Sequence, residues 1–537
     1  MHLPPPEPAE LQGLPLDPRG PSTLLAALCT PAGEAEPWLT TGPATALRIW
    51  SRVELHAQAR RWRRALVGVG VRPGDRVALW LPNDERFVAA FFGAHLAGAA
   101  AVPLSWPVSL VDGARKVDAL RPLFDVAAVS AVVTDAMFDT AALGAAAGAP
   151  VLTEPAASGA GGDVDPAAEA VALVQFTSGS LGRPRGAEIT QRALTTCVRS
   201  MVQAMSLGPA DRGVSWLPLF HDMGLVGGLL CPLWAGFPLH LMTPGEFLLH
   251  PERWVRRFAE VGGTVAAAPD FAWRLAARRV RSVGGSLSAW RIGLDGAEPV
   301  HRGTLDGFQA RFAPDGLPAG VVRPAYGLAE NTLAVAIYDP ARPAEDHVGH
   351  LRRVPSCGAP VPGVEVRVTG EGGVVGVGEE GAIEVRSGSL MRGYFRDEAE
   401  TAAALVGGWL RTGDLGVVRG GQLHVTGRAK ELLIQNGSKF HPYDLERAAA
   451  DAVDAAMAGA AAFSVPGEEG ERLVLAVEVP PAFDGDPVRR VRAAVLDALG
   501  VRLDVVLPVA PGSLPRTTSG KVRRRDAAVA LAEHVHG

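Results

Sequence analysis

The segment Val174-Gln-Phe-Thr-Ser-Gly-Ser-Leu-Gly-Arg-Pro-Arg-Gly-Ala187 gathers the groups that grip phosphate. A short apolar run from Val171 to Phe176 reads as a strand that ends in a loop carrying Gly179, Gly182 and Gly186. Residues without a Cβ let backbone N–H groups approach phosphate oxygens. The hydroxyls of Thr177, Ser178 and Ser180 and the guanidinium groups of Arg183 and Arg185 add further donors. The GxxxxGK[ST] spacing is absent, so this is not a P-loop. A cationic cluster, Ser519-Gly-Lys-Val-Arg-Arg524, lies near the C-terminus. Cys29, Cys197, Cys231 and Cys357 are far apart and form neither a disulfide framework nor a zinc site, and His347 with His350 lacks further ligands nearby.

The elements that must position these groups alternate in type. Ser51-Arg-Val-Glu54 has the form of a capping box and opens a helix through Trp62 and Leu66. Arg76 to Leu81 is a buried-strand candidate, followed by an apolar helix around Phe91 and Phe92, which predicts stacked α/β units. The prolines before position 19 mark an irregular leader, and Ala141 to Asp165 reads as a loop or linker. Short Val/Ile strands near Val364 to Val368 and Ala382 to Val385 predict a small β-rich part. Further on, Ala461 to Val465, Leu473 to Val479 and Val501 to Leu507 read as strands. Asp486-Pro487 caps a helix that Gly500 stops.

The bulk numbers limit the function classes. The chain has 537 residues, 47% hydrophobic and 20% charged, enough for more than one globular core. A formal net charge of −5 speaks against a nucleic-acid partner. The start MHLPPPEPAELQG lacks the basic and apolar regions of a signal peptide, and the uncharged stretches Phe87 to Val111 and Met223 to Pro244 are interrupted by prolines and a histidine. The expectation is a cytoplasmic protein with no membrane span.

With these segments in view, the chain resembles the acyl-adenylate-forming superfamily of acyl-CoA synthetases, peptide-synthetase adenylation domains and luciferases. The phosphate loop resembles that family's signature. Ser215-Trp-Leu-Pro-Leu-Phe-His-Asp-Met-Gly-Leu225 is similar to a segment of fatty acyl-AMP ligases, which implies that His221 borders the acyl pocket and positions substrate. Asp295-Gly-Ala-Glu-Pro-Val300 resembles the adenine-lining turn, with Gly296, Ala297 and Glu298 at the nucleotide. Ala325-Tyr-Gly-Leu-Ala-Glu-Asn331 resembles the segment in which Tyr326 and Gly327 meet adenine and Glu330, with Thr177, holds Mg²⁺. Trp409 to Leu415 places Asp414 at the ribose hydroxyls, and Gly427-Arg-Ala-Lys430 implies ribose contact by Arg428 and a hinge at Lys430. Gly437 implies room for a pantetheine arm, and Lys521 implies a cation bridging the carboxylate and the α-phosphate.

The resemblance implies an α/β fold in two parts. Residues 1–428 form a large adenylation domain of stacked α/β subdomains with a small β subdomain, and residues 429–537 form a small mobile α+β domain. It further implies ATP/AMP, Mg²⁺ and CoA as ligands and a hydrophobic carboxylic acid as substrate, with Phe220, Met223 and Trp234 among the apolar residues near it. The short connection from Leu333 to Cys357 favours CoA over an acyl carrier protein as the thiol. Two departures matter: Leu181 stands where most of the family has Thr, and Arg185 where most has Lys. One lost donor to a charged group costs about 1.5–3 kcal/mol, so ATP activation is the weaker half, and a ligase that thioesterifies preformed acyl-AMP stays open. Glu330, Asp414, Arg428 and Lys521 together speak against a retired, purely regulatory nucleotide site.

Overall fold

In the computed structural model the glycine loop leaves a mixed seven-stranded sheet. The structure describes residues 7–19, 23–29, 36–43, 45–107, 113–156, 162–178, 184–348, 353–435, 438–453, 459–467, 470–516 and 522–535. Across this first sheet the order is Gly393–Tyr394, Pro184–Thr190, Val171–Ser178, Ala100–Pro103, Arg76–Trp80, Ala131–Thr134 and Val151–Leu152. The central strand is apolar on both faces because both are covered, as parallel sheets require. Val77 and Leu79 pack with Trp62 and Phe91 from the helices Arg52–Gly68 and Glu85–Leu96. Ala78 and Trp80 pack on the other side with Leu120 and Phe124 of the helix Gly113–Ala127. The expected capping box is complete: Ser51 Oγ accepts from Glu54 N, and Glu54 Oε2 accepts from Ser51 N at 2.8 Å.

A second sheet of nine strands runs Ala359–Pro360, Ala334–Ile337, Val322–Gly327, Ile292–Asp295, Val265–Ala268, Gly213–Ser215, Leu239–Leu241, Pro37–Thr41 and Arg48–Ser51. Its outer helices bury an aromatic cluster in which the Phe258 and Trp290 rings stack at 3.6 Å, with Trp254 and Trp273 against them. Such rings carry large apolar area and fix orientation by edge-to-face contacts, so this half is a rigid base for the loops above it. A third, antiparallel sheet contains Val364–Gly370, Glu380–Ser387, Trp409–Arg419 and Gln422–Arg428.

Three local readings need correction. The leader is not irregular throughout, since Glu10–Gln12 pairs antiparallel with Val364–Gly370. Gln203 and Arg199 then bind the leader backbone at Pro15 and Asp17. The stretch taken as a linker carries the helix Thr140–Ala147, capped by Asp139 and closed by Gly148 at φ 61°, and the strand Val151–Leu152. Its alanines favour helix more than its glycines oppose it. The last strand begins at Val505, not Val501.

Beyond Arg428 the hairpin Leu433–Gln435 with Ser438–Phe440 leads into a separate three-stranded sheet, Ala460–Gly467, Gly470–Glu478 and Val505–Val509. The helices Pro442–Ala452 and Pro487–Leu499 bury Leu445, Val491 and Val495 against it. Asp486 caps the second helix and Gly500, at φ 67°, ends it as its sequence implied. No helix among the described residues is long and apolar enough to cross a membrane. The Met223 stretch is instead a π-helix, Met223–Leu230, followed by the helix Cys231–Ala235 and a strand.

The helix Pro442–Ala452 meets the helix Asp270–Arg279 through alternating charges. Arg447 donates to Asp270 Oδ2 at 3.0 Å and to Asp451 Oδ2 at 2.7 Å, and Arg274 donates to Asp451 Oδ1 at 3.0 Å. Asp270 is fully buried, and burial foremost raises its carboxyl against the lowering effect of Arg447. Removing Arg447 strips a charge partner from that carboxylate, a change that costs about 3–5 kcal/mol for a buried pair. The variant R447A is therefore expected to loosen the C-terminal part. Limited proteolysis checks this: cleavage between Arg428 and Lys439 should be faster than in the unaltered protein.

Candidate active site

The chemistry-bearing loops converge because they leave the carboxyl ends of parallel strands in the two mixed sheets, where open α/β sheets place ligands. Val171–Ser178 leads to the phosphate loop, Gly213–Ser215 to His221, Ile292–Asp295 to Glu298, and Val322–Gly327 ends in Tyr326 and Gly327. The strand Trp409–Arg419 brings Asp414 to the same place. Together they line one continuous cleft of about 1520 Å³, with Thr177, His221, Glu298, Tyr326, Glu330 and Asp414 on its walls.

At the nucleoside end, Asp414 is a junction. It accepts from the Tyr326 hydroxyl at 2.7 Å and from Arg428 Nε at 2.9 Å, while its own N–H donates to Thr412 Oγ1. Asp414 holds the Arg428 guanidinium well above its ordinary range, against the opposing effect of burial. Burial and the neighbouring Asp414 keep the Tyr326 phenol protonated. A carboxylate has about four acceptor positions, so two remain for hydroxyl donors. On the facing turn Ala297 has φ +66°, an uncommon conformation for a residue with a Cβ, and Glu298 accepts from Phe271 N. A Cβ on Gly296 would come 2.9 Å from Ala325 O, so the turn packs directly on the Tyr326 strand. Behind it, neither oxygen of buried Asp295 finds a partner among the described residues. Burial, then Asp270 and Glu298, push its carboxyl well above the usual range.

Glu330 is held by backbone strain. Thr332 sits at φ +63° and ψ −48°, with Leu333 N donating to Asn331 O at 2.6 Å, which is a tight γ-turn that β-branched residues rarely adopt. Buried Asn331 secures it by donating to Ala334 O and accepting from Ser387 Oγ. A Cβ on Gly327 would lie 2.1 Å from Leu333 O, so the loop closes only with glycine there.

The phosphate end carries unmet donors. Among the described residues, the buried Thr177 Oγ1 and Arg185 Nε find no hydrogen-bond partner. Arg185 instead pairs with Glu400 through Nη1, and its guanidinium lies 4.8 Å over the Tyr394 ring. Tyr394 in turn donates its hydroxyl to Glu330 Oε1 at 2.8 Å. Burial first, then Glu330, raises the Tyr394 phenol far above its ordinary value, which keeps it a donor. Buried hydroxyl and guanidinium donors beside a carboxylate fit a magnesium polyphosphate, because Mg²⁺ takes hard oxygens and phosphate takes N–H and O–H donors. The Ser178 side chain and Gly179, Ser180, Leu181 and Gly182 lie outside the described residues.

His221 lies on the cleft wall with Nδ1 2.7 Å from Asp222 Oδ1, and Met223 N donates to the same Asp222 oxygen. Past it the cleft continues as an apolar arm along Gly213–Ser215 and Val265–Ala268, reaching Met201, Met205, Gly227 and Phe237. Phe220 and Met223 line the cleft as expected. Trp234 does not, because it packs into the core beneath the helix Cys231–Ala235. Lys430 lies on the short turn Ala429–Glu431 at the cleft. Gly437 and Lys521 are outside the described residues, but the ends of the Lys521 loop are placed. Arg516 bridges Val522, Glu478 accepts from Arg516, and Arg524 makes a bidentate pair with Glu446. Both ends border the cleft.

Comparison with known proteins decides the family. A model of AMP-binding enzymes matches residues 41–395. This chain belongs to the AMP-binding enzyme family. It is 32% identical to the long-chain-fatty-acid–AMP ligase FadD32 of Mycolicibacterium smegmatis, over 84% of each chain. It is also 32% identical to a putative acyl-CoA synthetase of Caulobacter vibrioides, over 88% of this chain and 89% of that one. A structure from studies of fatty acyl-adenylate ligases of E. coli and L. pneumophila superposes with a TM-score of 0.85 at 28% identity, covering 97% of this chain and all of that one. The AMP-binding enzyme is thus an ATP-dependent, adenylate-forming acid ligase.

Sequence reasoning missed Tyr394, Glu400 and the Arg447–Asp270 contact. One signal was available: the chain has four tyrosines, and three of them, Tyr326, Tyr394 and Tyr443, line the cleft of this AMP-binding enzyme. The γ-turn supplies a test of how Glu330 is held. G327A is expected to lower the melting temperature and reduce adenylation about 100-fold, the scale of an ångström displacement of a reacting group. Differential scanning fluorimetry with an ATP-consumption assay checks both.

Proposed function

We propose that this enzyme activates a long-chain fatty acid as its acyl-AMP and passes the acyl group to a phosphopantetheine thiol, that of CoA foremost. The observation that carries the reading is one cleft joining three features: the Asp414–Tyr326–Arg428 junction, the donors of Thr177 and Arg185 that find no partner among the described residues, and the apolar arm. The relative named as a long-chain-fatty-acid–AMP ligase supports the chain length, and the other named as a putative acyl-CoA synthetase supports the acceptor.

In this reading Asp414 and Arg428 hold the ribose, Tyr326 with Gly296, Ala297 and Glu298 frames the adenine, and Arg185 with the glycine loop takes the β- and γ-phosphates. Glu330 and Thr177 would hold Mg²⁺, which supplies positive charge against the phosphate oxygens when bound. The fatty carboxylate attacks the α-phosphorus, the bond to the β-phosphate oxygen breaks, and pyrophosphate leaves. Lys521 stabilises charge on the α-phosphate and carboxylate oxygens during that attack, and His221 positions the acyl carboxylate. The part beyond Arg428 then turns about Lys430, removing Lys521 and bringing Gly437 to the cleft. The thiol loses its proton, its sulfur bonds to the acyl carbon, and AMP departs.

The second reading takes a carrier-protein thiol as acceptor, and similarity to enzymes named as fatty-acid–AMP ligases favours it. The short connection after Leu333 favours CoA. It consists of Ala334–Ile337 and the small hairpin His347–Val348 with Arg353–Val354.

Palmitate-dependent exchange of radiolabelled pyrophosphate into ATP tests the first step, and exchange well above a no-acid blank is expected. Absence of exchange, with thioester still formed from supplied palmitoyl-AMP, would replace the reading with that of a thioesterifying ligase alone. CoA and a phosphopantetheinylated carrier protein, compared in parallel, decide the acceptor.

Chain length tests the arm. The π-helix Met223–Leu230 presents Gly227, whose added Cβ would stand 3.3 Å from Leu333 Cδ2 and 3.6 Å from Met201 Cε. A leucine there fills the arm, so G227L should lower kcat/KM for palmitate by about 10- to 100-fold while butyrate is retained. That range matches the pocket discrimination worth about 1–3 kcal/mol. Pyrophosphate exchange across an acid series from butyrate to palmitate reads it out.

A further inference from the structure

Glu400 belongs to no part of the scheme above, yet it holds the one described arginine of the phosphate loop. Its place is fixed by neighbouring elements. Asp397 Oδ1 accepts from Glu400 N, and Thr401 Oγ1 donates to Asp397 O and accepts from Tyr394 N at 2.8 Å. A Cβ on Gly393 would lie 2.7 Å from Thr401 Cγ2, so the helix Glu398–Ala404 packs hard on the strand Gly393–Tyr394. That strand pairs with Ala187 and Glu188, directly after the phosphate loop. Glu400 and Arg185 therefore face each other from two firmly joined elements.

The charges on this side of the cleft, among the described residues, include a competitor for a polyphosphate. Arg185 is paired with Glu400 and stacked on Tyr394, and Tyr394 is bonded to Glu330. One guanidinium is thus paired with one carboxylate and stacked on the phenol that bonds another. Incoming β- and γ-phosphates that reach Arg185 through its Nε share the guanidinium with Glu400 and sit beside that carboxylate. The α-phosphate of AMP or acyl-AMP carries neither outer phosphate and does not enter that competition. The Glu400 side chain is 40% exposed and Arg185 19%, so the pair is neither dry nor freely solvated, and its strength is modest.

We propose that Glu400 is a positioning residue that competes with the β- and γ-phosphates for Arg185, weakening ATP and pyrophosphate alike while leaving AMP untouched. By the law of mass action, weaker pyrophosphate binding favours its departure after acyl-AMP forms. The device draws adenylation forward at the expense of ATP affinity. It rests on the assignment of Arg185 to the outer phosphates, and it deepens that assignment by naming what opposes it.

Titration calorimetry with Mg-ATP, Mg-pyrophosphate and AMP on the full-length protein tests it without requiring turnover. E400Q, which keeps shape and removes charge, should tighten ATP and pyrophosphate about fivefold, the scale of a partly exposed ion pair. AMP affinity should not follow. The gain should shrink as ionic strength rises, because it is a charge effect, and E400D should behave as the unaltered protein does. Unchanged or weaker ATP binding by E400Q, or an equal gain for AMP, overturns the proposal. Acid-dependent pyrophosphate exchange by the unaltered protein reports separately on the catalytic reading, so failure of one is distinguishable from failure of the other.

Discussion

Two sheets of the molecule meet at the carboxylate of Asp414. Tyr326 comes from the end of a parallel strand in the second sheet, Asp414 from a long strand of the antiparallel sheet, and Arg428 from the last residue before the turn of Lys430. A carboxylate buried to this extent needs charged or hydroxyl donors, since an uncompensated one is costly. Satisfying Asp414 therefore sets the distance between the two sheets and the direction in which the chain leaves toward its C-terminal part. The same oxygens have acceptor positions to spare. The group that joins the two sheets is also the group proposed to read a ribose, so on that proposal structural and binding demands coincide on one residue.

Charge is distributed differently at the two ends of the cleft. At the nucleoside end Arg428 and Asp414 form a nearly closed pair that leaves hydroxyl recognition as the remaining capacity. At the other end, among the described residues, donors outnumber their partners at Thr177 and Arg185, and the carboxylates Glu330 and Glu400 stand nearby. An arginine there is not a lysine with a larger head. Its planar guanidinium stacks on Tyr394 while pairing with Glu400, which a compact ammonium could not do at once. The Lys-to-Arg departure noticed in the sequence is thus tied to a ring and a carboxylate more than two hundred positions further along the chain.

What the sequence made legible followed local rules. The capping box at Ser51, the Asp486–Gly500 helix and the Arg76 strand depend on residues a few positions apart, and each formed as written. The Thr140–Ala147 helix was misread because alanine and glycine push in opposite directions and only tertiary packing decides between them. Several residues named from the resemblance, among them Thr177, Tyr326, Glu330 and Asp414, line one cleft because the strands that carry them converge there. Glu400, Tyr394 and Arg447 were not named, since each acts on a partner distant in sequence. Trp234 shows the opposite error: an aromatic beside the acyl segment was counted as lining, but its helix turns it into the core.

The acyl arm and the phosphate end are carried by different elements, and that separation has a functional consequence. The arm runs between the helix Gln191–Ala204, the π-helix and the short strands of the second sheet, where Gly227 keeps it open. The phosphate end is built by the first sheet, the Gly393–Tyr394 strand and the Glu398–Ala404 helix. A π-helix gives up regular i to i−4 bonding, which is tolerated here because the eight-residue turn is buried on rigid neighbours. Substitutions that widen or close the arm act on which acid binds, and substitutions around Arg185 act on how firmly the outer phosphates are held. In the proposed scheme only the reacting carboxylate and the α-phosphate, between His221 and Glu330, feel both ends. Acid selectivity and nucleotide affinity can therefore change independently in such an enzyme, so an altered phosphate loop does not imply an altered acid.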